Sequence, residues 1–191
     1  MMQFKRIFVV ASLSLTVASL LAGCAPEEPL TGQALLGDVA KNAKHSDARL
    51  AAARELDDQA VAQATFADIA KTDGHSQVCE TAIRHLTDQA LLADVAKNAV
   101  SCRARFAAAE KLDEPYHAEA QAALAEIAIH THTRAPDDYE RDMKIKAVGK
   151  MTDQRQLAKV AKQAGDSYVR QAAVEQLGIM VVRQARTATE K

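Results

Sequence analysis

The chain has no tryptophan and only seven glycines in 191 residues. So few glycines argue against a backbone loop that wraps a phosphate or a cofactor. The corresponding motifs are missing too: there is no Gly-x-Gly-x-x-Gly, no phosphate-binding loop, no Gly-x-Ser-x-Gly elbow and no His-Glu-x-x-His. No Cys-x-x-Cys occurs, and neither Cys79 nor Cys102 has a base assigned beside it, which argues against a catalytic thiol. Basic residues do not outnumber acidic ones, so no positive field steers nucleic acid. The longest uncharged apolar stretch, Ile7 to about Leu21, falls short of the ~20 residues that span a bilayer. These absences leave no catalytic residue, metal or cofactor to assign, and the chain is expected not to be an enzyme.

What is present begins with a leader. Lys5 and Arg6 precede that apolar stretch, and Leu21-Ala22-Gly23-Cys24 follows it. A positive start, an apolar middle and small residues before the end are the three parts of a secretory signal. The last four residues resemble a bacterial lipobox. The resemblance implies removal of residues 1–23 and lipidation of Cys24, whose acyl chains would hold the domain on a membrane at roughly 0.8 kcal/mol per buried methylene. With Ala25 after the cysteine, it also implies a place in the cell envelope, at the outer membrane and facing the periplasm. In a single-membrane organism the domain would lie outside the cell. Residues 24–30, with Pro26 and Pro29, are expected to form an extended tether. Without Lys5 and Arg6, 22 basic against 25 acidic groups leave a net charge of −3.

The rest is rich in alanine and self-similar. Leu30-Thr-Gly-Gln33, Leu56-Asp-Asp-Gln59, Leu86-Thr-Asp-Gln89, Leu112-Asp-Glu-Pro115 and Met151-Thr-Asp-Gln154 open five units spaced 26, 30, 26 and 39 residues apart. Their Thr and Asp side chains suit the start of a helix, where an oxygen can accept from free amides. Pro115 suits a first helical position. The first helix of each unit carries a triplet: Leu36/Val39/Ala40, Phe66/Ile69/Ala70, Leu92/Val95/Ala96, Leu124/Ile127/Ala128 and Leu157/Val160/Ala161. Offsets of three and four place each triplet on one helical face. The second helix carries a quartet: Ala48/Ala52/Ala53/Leu56, Val78/Ala82/Ile83/Leu86, Ala104/Ala108/Ala109/Leu112, Met143/Ala147/Val148/Met151 and Val169/Ala173/Val174/Leu177. A single hairpin cannot bury such stripes. Hairpins stacked side by side can, so ten helices in an all-α solenoid are expected.

The pattern resembles HEAT-like repeats, in which an Asp in the turn precedes a Val-Arg pair on the second helix. Asp166-Ser-Tyr-Val169-Arg170 fits well, and Ala48-Arg49 and Ala104-Arg105 fit more loosely. Met143-Lys144 is a weaker copy, and Val78-Cys79 lacks the base. Over residues 31–186 the resemblance implies a right-handed α/α superhelix of about five hairpins, a turn-bracing Asp–Arg contact where both residues exist, and a concave face of second helices used to bind proteins.

Several places depart from the repeat. The second unit holds four extra residues in its first helix, close to one turn, so the apolar face survives and the helix protrudes. The fourth unit is 13 residues longer than the 26-residue copies. Part of the excess forms a loop carrying His130, His132, Arg134, Asp137, Asp138 and Tyr139, a candidate partner-binding site because insertions in repeat proteins gather on one face. Cys79 and Cys102 sit near the starts of neighbouring second helices, and as an even pair in an exported chain they are a candidate disulfide. A bridge needs Cα atoms about 4.4–6.8 Å apart, closer than the roughly 8–10 Å between packed helices, so the turn at Cys102 would have to lean inward. Ile179-Met-Val-Val182 either folds back over the last hairpin or forms an exposed patch for another chain, and residues 187–191 form a flexible tail. The expected function is a membrane-anchored protein-binding scaffold with an unknown protein partner and no nucleic acid. A structural or stress-related lipoprotein without a specific ligand, or a lyase-like enzyme or small-ligand carrier, are the alternatives.

Overall fold

The structure, a computed structural model, describes residues 32–130 and 138–189. The leader, Cys24, the tether and residues 131–137 lie outside the described residues, as do Glu190 and Lys191. All ten described elements are helices: α1 (Gly32–Asn42), α2 (Ser46–Arg54), α3 (Gln59–Thr72), α4 (Ser76–His85), α5 (Gln89–Asn98), α6 (Cys102–Glu110), α7 (His117–Ile129), α8 (Asp138–Lys150), α9 (Gln154–Gln163) and α10 (Ser167–Thr189).

They pair into five antiparallel hairpins, α1–α2, α3–α4, α5–α6, α7–α8 and α9–α10. The first helices stack on one another in order, α1 on α3, α3 on α5, α5 on α7 and α7 on α9. Among the second helices α2 meets α4, α4 meets α6 and α8 meets α10, but α6 and α8 make no comparable contact. Substantial contacts join only neighbouring hairpins among the described residues. The described residues therefore form a linear all-α stack and not a closed bundle.

The expected stripes form the core. In the first helices Phe66, Leu92, Leu124 and Leu157 are buried, and so are Ile69, Val95, Ile127 and Val160. In the second helices Ala52, Ala82, Ala108, Ala147 and Ala173 are all buried. Alanine at that slot in every copy leaves no bulk between helices. The quartets begin less regularly, since Ala48 is exposed and Val78 only half-buried.

Capping follows the sequence in three units. Asp58, Asp88 and Asp153 accept from the first free amides of α3, α5 and α9. The fourth unit differs. Pro115 lies in a turn ahead of α7, whose N-cap is Tyr116 with no side-chain cap, so the expected first-turn proline is not there. The extra turn in the second unit makes α3 14 residues long against 10 for α5. At the C-terminus α10 is one continuous helix of 23 residues. It neither folds back as a cap nor frays at residue 187. One glycine, Gly178, and no proline interrupt it, so nothing in its backbone forces a turn. Ile179, Val181 and Val182 are exposed along it.

Candidate interaction surfaces

Two recurring polar devices hold the hairpins in register, and they define the surfaces a partner would meet. The first is a glutamine three residues before each triplet. Gln33 donates to Glu55 O at 3.1 Å and accepts from Asp57 N at 3.0 Å. Gln63 donates to His85 O at 2.9 Å and accepts from Thr87 N at 2.7 Å. Gln89 donates to Lys111 O at 3.4 Å and accepts from Asp113 N at 2.9 Å. Gln121 accepts from Thr152 N at 2.7 Å and Asp153 N at 3.0 Å. Each side chain fastens the turn between its own hairpin and the next, where helix ends leave backbone groups without intrahelical partners. The fifth copy, Gln154, has no such turn to hold because α10 continues. Its buried Nε2 has no hydrogen-bond partner.

The second device occupies the residue after the quartet's first member. Arg49 Nε donates to Ala40 O at 3.1 Å, and Arg170 donates to Ala164 O at 2.8 Å and Gly165 O at 3.0 Å. Cys79, in the same slot, donates its Sγ–H to Asp73 O at 3.1 Å. These groups satisfy carbonyls at the end of the preceding first helix. This corrects the expected Asp–Arg turn brace. Arg170 grips the turn through carbonyls, while Asp166 accepts from Arg141 Nε of the neighbouring hairpin at 2.9 Å, which holds its carboxyl below the usual range.

The same slot decides the cysteines. Cys79 is buried and Cys102 half-buried, and both are free thiols. Cys79 points its thiol back at the end of α3 and not at the next hairpin, so the candidate bridge is not formed. Burial, reinforced by the nearby Asp73 carboxylate, pushes its thiol pKa up and keeps it protonated.

The fourth hairpin breaks the pattern on its inner side. Lys144 occupies the slot but pairs with Glu140, one turn earlier, at 3.1 Å, and both are buried. Arg105, the slot residue of the third hairpin, is buried as well. These charges sit on α6 and α8, the two second helices that fail to pack closely. Sequence periodicity missed the pair because Lys144 reads as one more variant of a repeated base.

Of the loop residues, His130 caps the end of α7 and pairs with Glu126 at 2.8 Å. Glu126 also receives Lys159 Nζ at 2.7 Å, and these two bonds, the lysine's first, hold its carboxyl below the usual range. His132, Arg134 and Asp137 lie outside the described residues; Asp138 and Tyr139 open α8. Among the described residues no cluster of three or more His, Cys, Asp or Glu is gathered as a metal site. A recess of about 1110 Å³ opens between the turns of the first two hairpins, lined by His45, Ser46, Asp73, His75 and Ser76 among others. Asp73 there is half-buried, and desolvation raises its pKa, but hydrogen bonds from Ser46 and His75 outweigh this and leave it lowered. The hollow holds paired turn residues, Ser46 and His75 both bonded to Asp73.

Among the described residues no helix is long and apolar enough to cross a membrane. Comparison with protein-family models, with curated proteins and with solved structures finds no match for this chain.

Proposed function

We propose that this chain is an envelope lipoprotein, anchored through Cys24, whose HEAT-like solenoid is a scaffold for binding another protein. The observation that carries the binding half is the form of the stack. Five hairpins spend their polar chemistry on fastening one another, and what remains is a long ribbed surface that suits a macromolecule better than a small substrate. The anchoring half rests on Leu21-Ala-Gly-Cys24 behind an apolar leader. Two-dimensional confinement would raise the effective concentration of any partner on the same membrane without adding a contact. The loop between α7 and α8 and the face of the second helices are the candidate contact regions.

Two measurements test the halves separately. Growth with a clickable fatty acid should label the wild type and leave Cys24→Ser unlabelled; equal labelling rejects the anchor. Crosslinking in the native envelope, followed by mass spectrometry, should recover a stoichiometric partner. Its yield should fall on deletion of residues 131–137, and unchanged capture moves the contact away from that loop.

A further inference from the structure

We propose that the molecule stacks head to tail on a second copy of itself, the outer face of the α9–α10 hairpin in one copy meeting the outer face of α1 in the next. This does not depend on lipidation or on the scaffold reading. It follows from which repeat slots are left uncovered.

The middle residue of the triplet is sealed in four hairpins: Ile69, Val95, Ile127 and Val160 are at most 1% exposed. In the first hairpin the same slot, Val39, is 40% exposed. Among the described residues the first hairpin has no hairpin before it, and in each of the others the hairpin before stands beside this slot. The third residue of the quartet behaves in the opposite way. Ala53, Ile83, Ala109 and Val148 are at most 4% exposed, whereas Val174, in the hairpin without a successor, is 57% exposed. Among the described residues the two ends thus leave open two slots that the inner hairpins keep covered. Leu35, beside Val39, is half exposed, whereas the residues in its slot on α3 and α7, Thr65 and Ala123, are buried.

The charges match in the register of the second and third hairpins, while in the fourth the slot residue, Glu126, takes Lys159 from the hairpin after. Two residues after the triplet begins, Asp68 and Asp94 each take a base from the hairpin before: Arg49 for Asp68, and Lys71, at 2.7 Å, for Asp94. Asp38 fills that slot in the first hairpin. It is exposed and steadied by Asn42 at 2.7 Å, as Asp94 is steadied by Asn98 at 2.6 Å. The corresponding bases of the last hairpin are Lys162, in the slot of Lys71, and Arg170, in the slot of Arg49. Lys162 is exposed. An acid without its base stands at one end, and two bases without their acid stand at the other. A second copy of this chain supplies the matching set at both. Such a contact is heterologous, so it propagates into strings instead of closing as a dimer.

The test uses the full chain in detergent, followed by sedimentation velocity over a concentration series. The wild type should form a ladder of species that grows with concentration. Asp38→Lys and Lys162→Asp each place like charges across the junction, which should weaken association by at least about tenfold. Mixing the two variants should restore it, because each then meets an opposite charge at both of its ends. Restoration on mixing also separates a specific junction from chance co-capture in one micelle. Both residues are exposed, and circular dichroism checks that the variants fold. A monomer at all concentrations overturns the proposal, as does association that neither charge change weakens. Association abolished by Val181→Asp but untouched by Asp38→Lys overturns it too, in favour of paired α10 helices.

Discussion

The third and fourth hairpins are neighbours built on one template, and they solve the same packing problem differently. The third is short and buries one charged side chain, Arg105, among otherwise apolar residues. Leu92 and Val95 on α5 and Ala104, Ala108 and Ala109 on α6 are all buried where the two helices pack, and Gln89 clamps the turn behind them. The fourth keeps the triplet on α7 and the clamp through Gln121, yet buries Glu140 and Lys144 on α8. Among the described residues α8 makes no contact with α6 comparable to that of α6 with α4. The lesson is that the first helices carry the continuity of the stack. The second helices can open at one junction as long as the charges enclosed there find partners.

The comparison breaks most sharply in the third hairpin. Ala108 is fully buried, and a carboxylate there would have neither room nor solvent. Ala108→Asp is expected to abolish cooperative unfolding at 25 °C, read by circular dichroism; wild-type stability would mean that the assigned face is wrong. Next comes the buried pair of the fourth hairpin. Glu140→Ala leaves Lys144 enclosed without its carboxylate and should cost about 3–5 kcal/mol in chemical denaturation. Replacing both residues by Leu and Met should be near neutral. If the double change is as costly as the single one, the pair does more than neutralise itself. Leu92→Ala and Leu124→Ala should each cost about 2–5 kcal/mol, the same range in both hairpins, because the triplet is equally sealed. The glutamine clamp sharpens the comparison further. Gln89→Ala and Gln121→Ala should each cost about 1–3 kcal/mol by stranding turn amides, whereas Gln154→Ala, whose Nε2 has no partner, should cost less.

The smallest effect is a pH dependence. Hydrogen bonds from Lys71 and Lys159 lower the carboxyl pKa values of Asp94 and Glu126. A group whose folded pKa is depressed contributes stability above its unfolded value, near 4, and loses it as pH falls through the folded value. Thermal midpoints should therefore decline below about pH 4, and Lys71→Met and Lys159→Met should flatten that decline. Both carboxylates are well exposed, so solvent screening keeps the effect small.

Much of this was legible from residues alone. The triplets and quartets announced the helices and their buried faces, because a period of 3.6 residues turns linear spacing into a stripe. Asp58, Asp88 and Asp153 announced three helix starts, because capping is a local event within four residues. The clamping glutamines were equally visible, always three residues before the triplet, but reading Gln59 with Gln33 and Gln89 hid them. The extra turn in α3 hands the role to Gln63. The candidate contact loop was legible only as an insertion, and the structure adds that His130 at its border is already engaged with Glu126.

Sequence by itself determined that this chain is a series of helical hairpins with one oily face each, since propensity, capping and periodicity act over a few neighbouring residues. Only the tertiary structure decided where Cys79 aims its thiol, that Glu140 and Lys144 are shut away together, and that Val39 and Val174 stay open at the two ends. Cys79 finds Asp73 O only once α3 and α4 fold against each other, and the enclosure of Glu140 with Lys144 and the exposure of Val39 and Val174 depend on which surfaces neighbouring hairpins cover, so linear spacing alone does not carry that information.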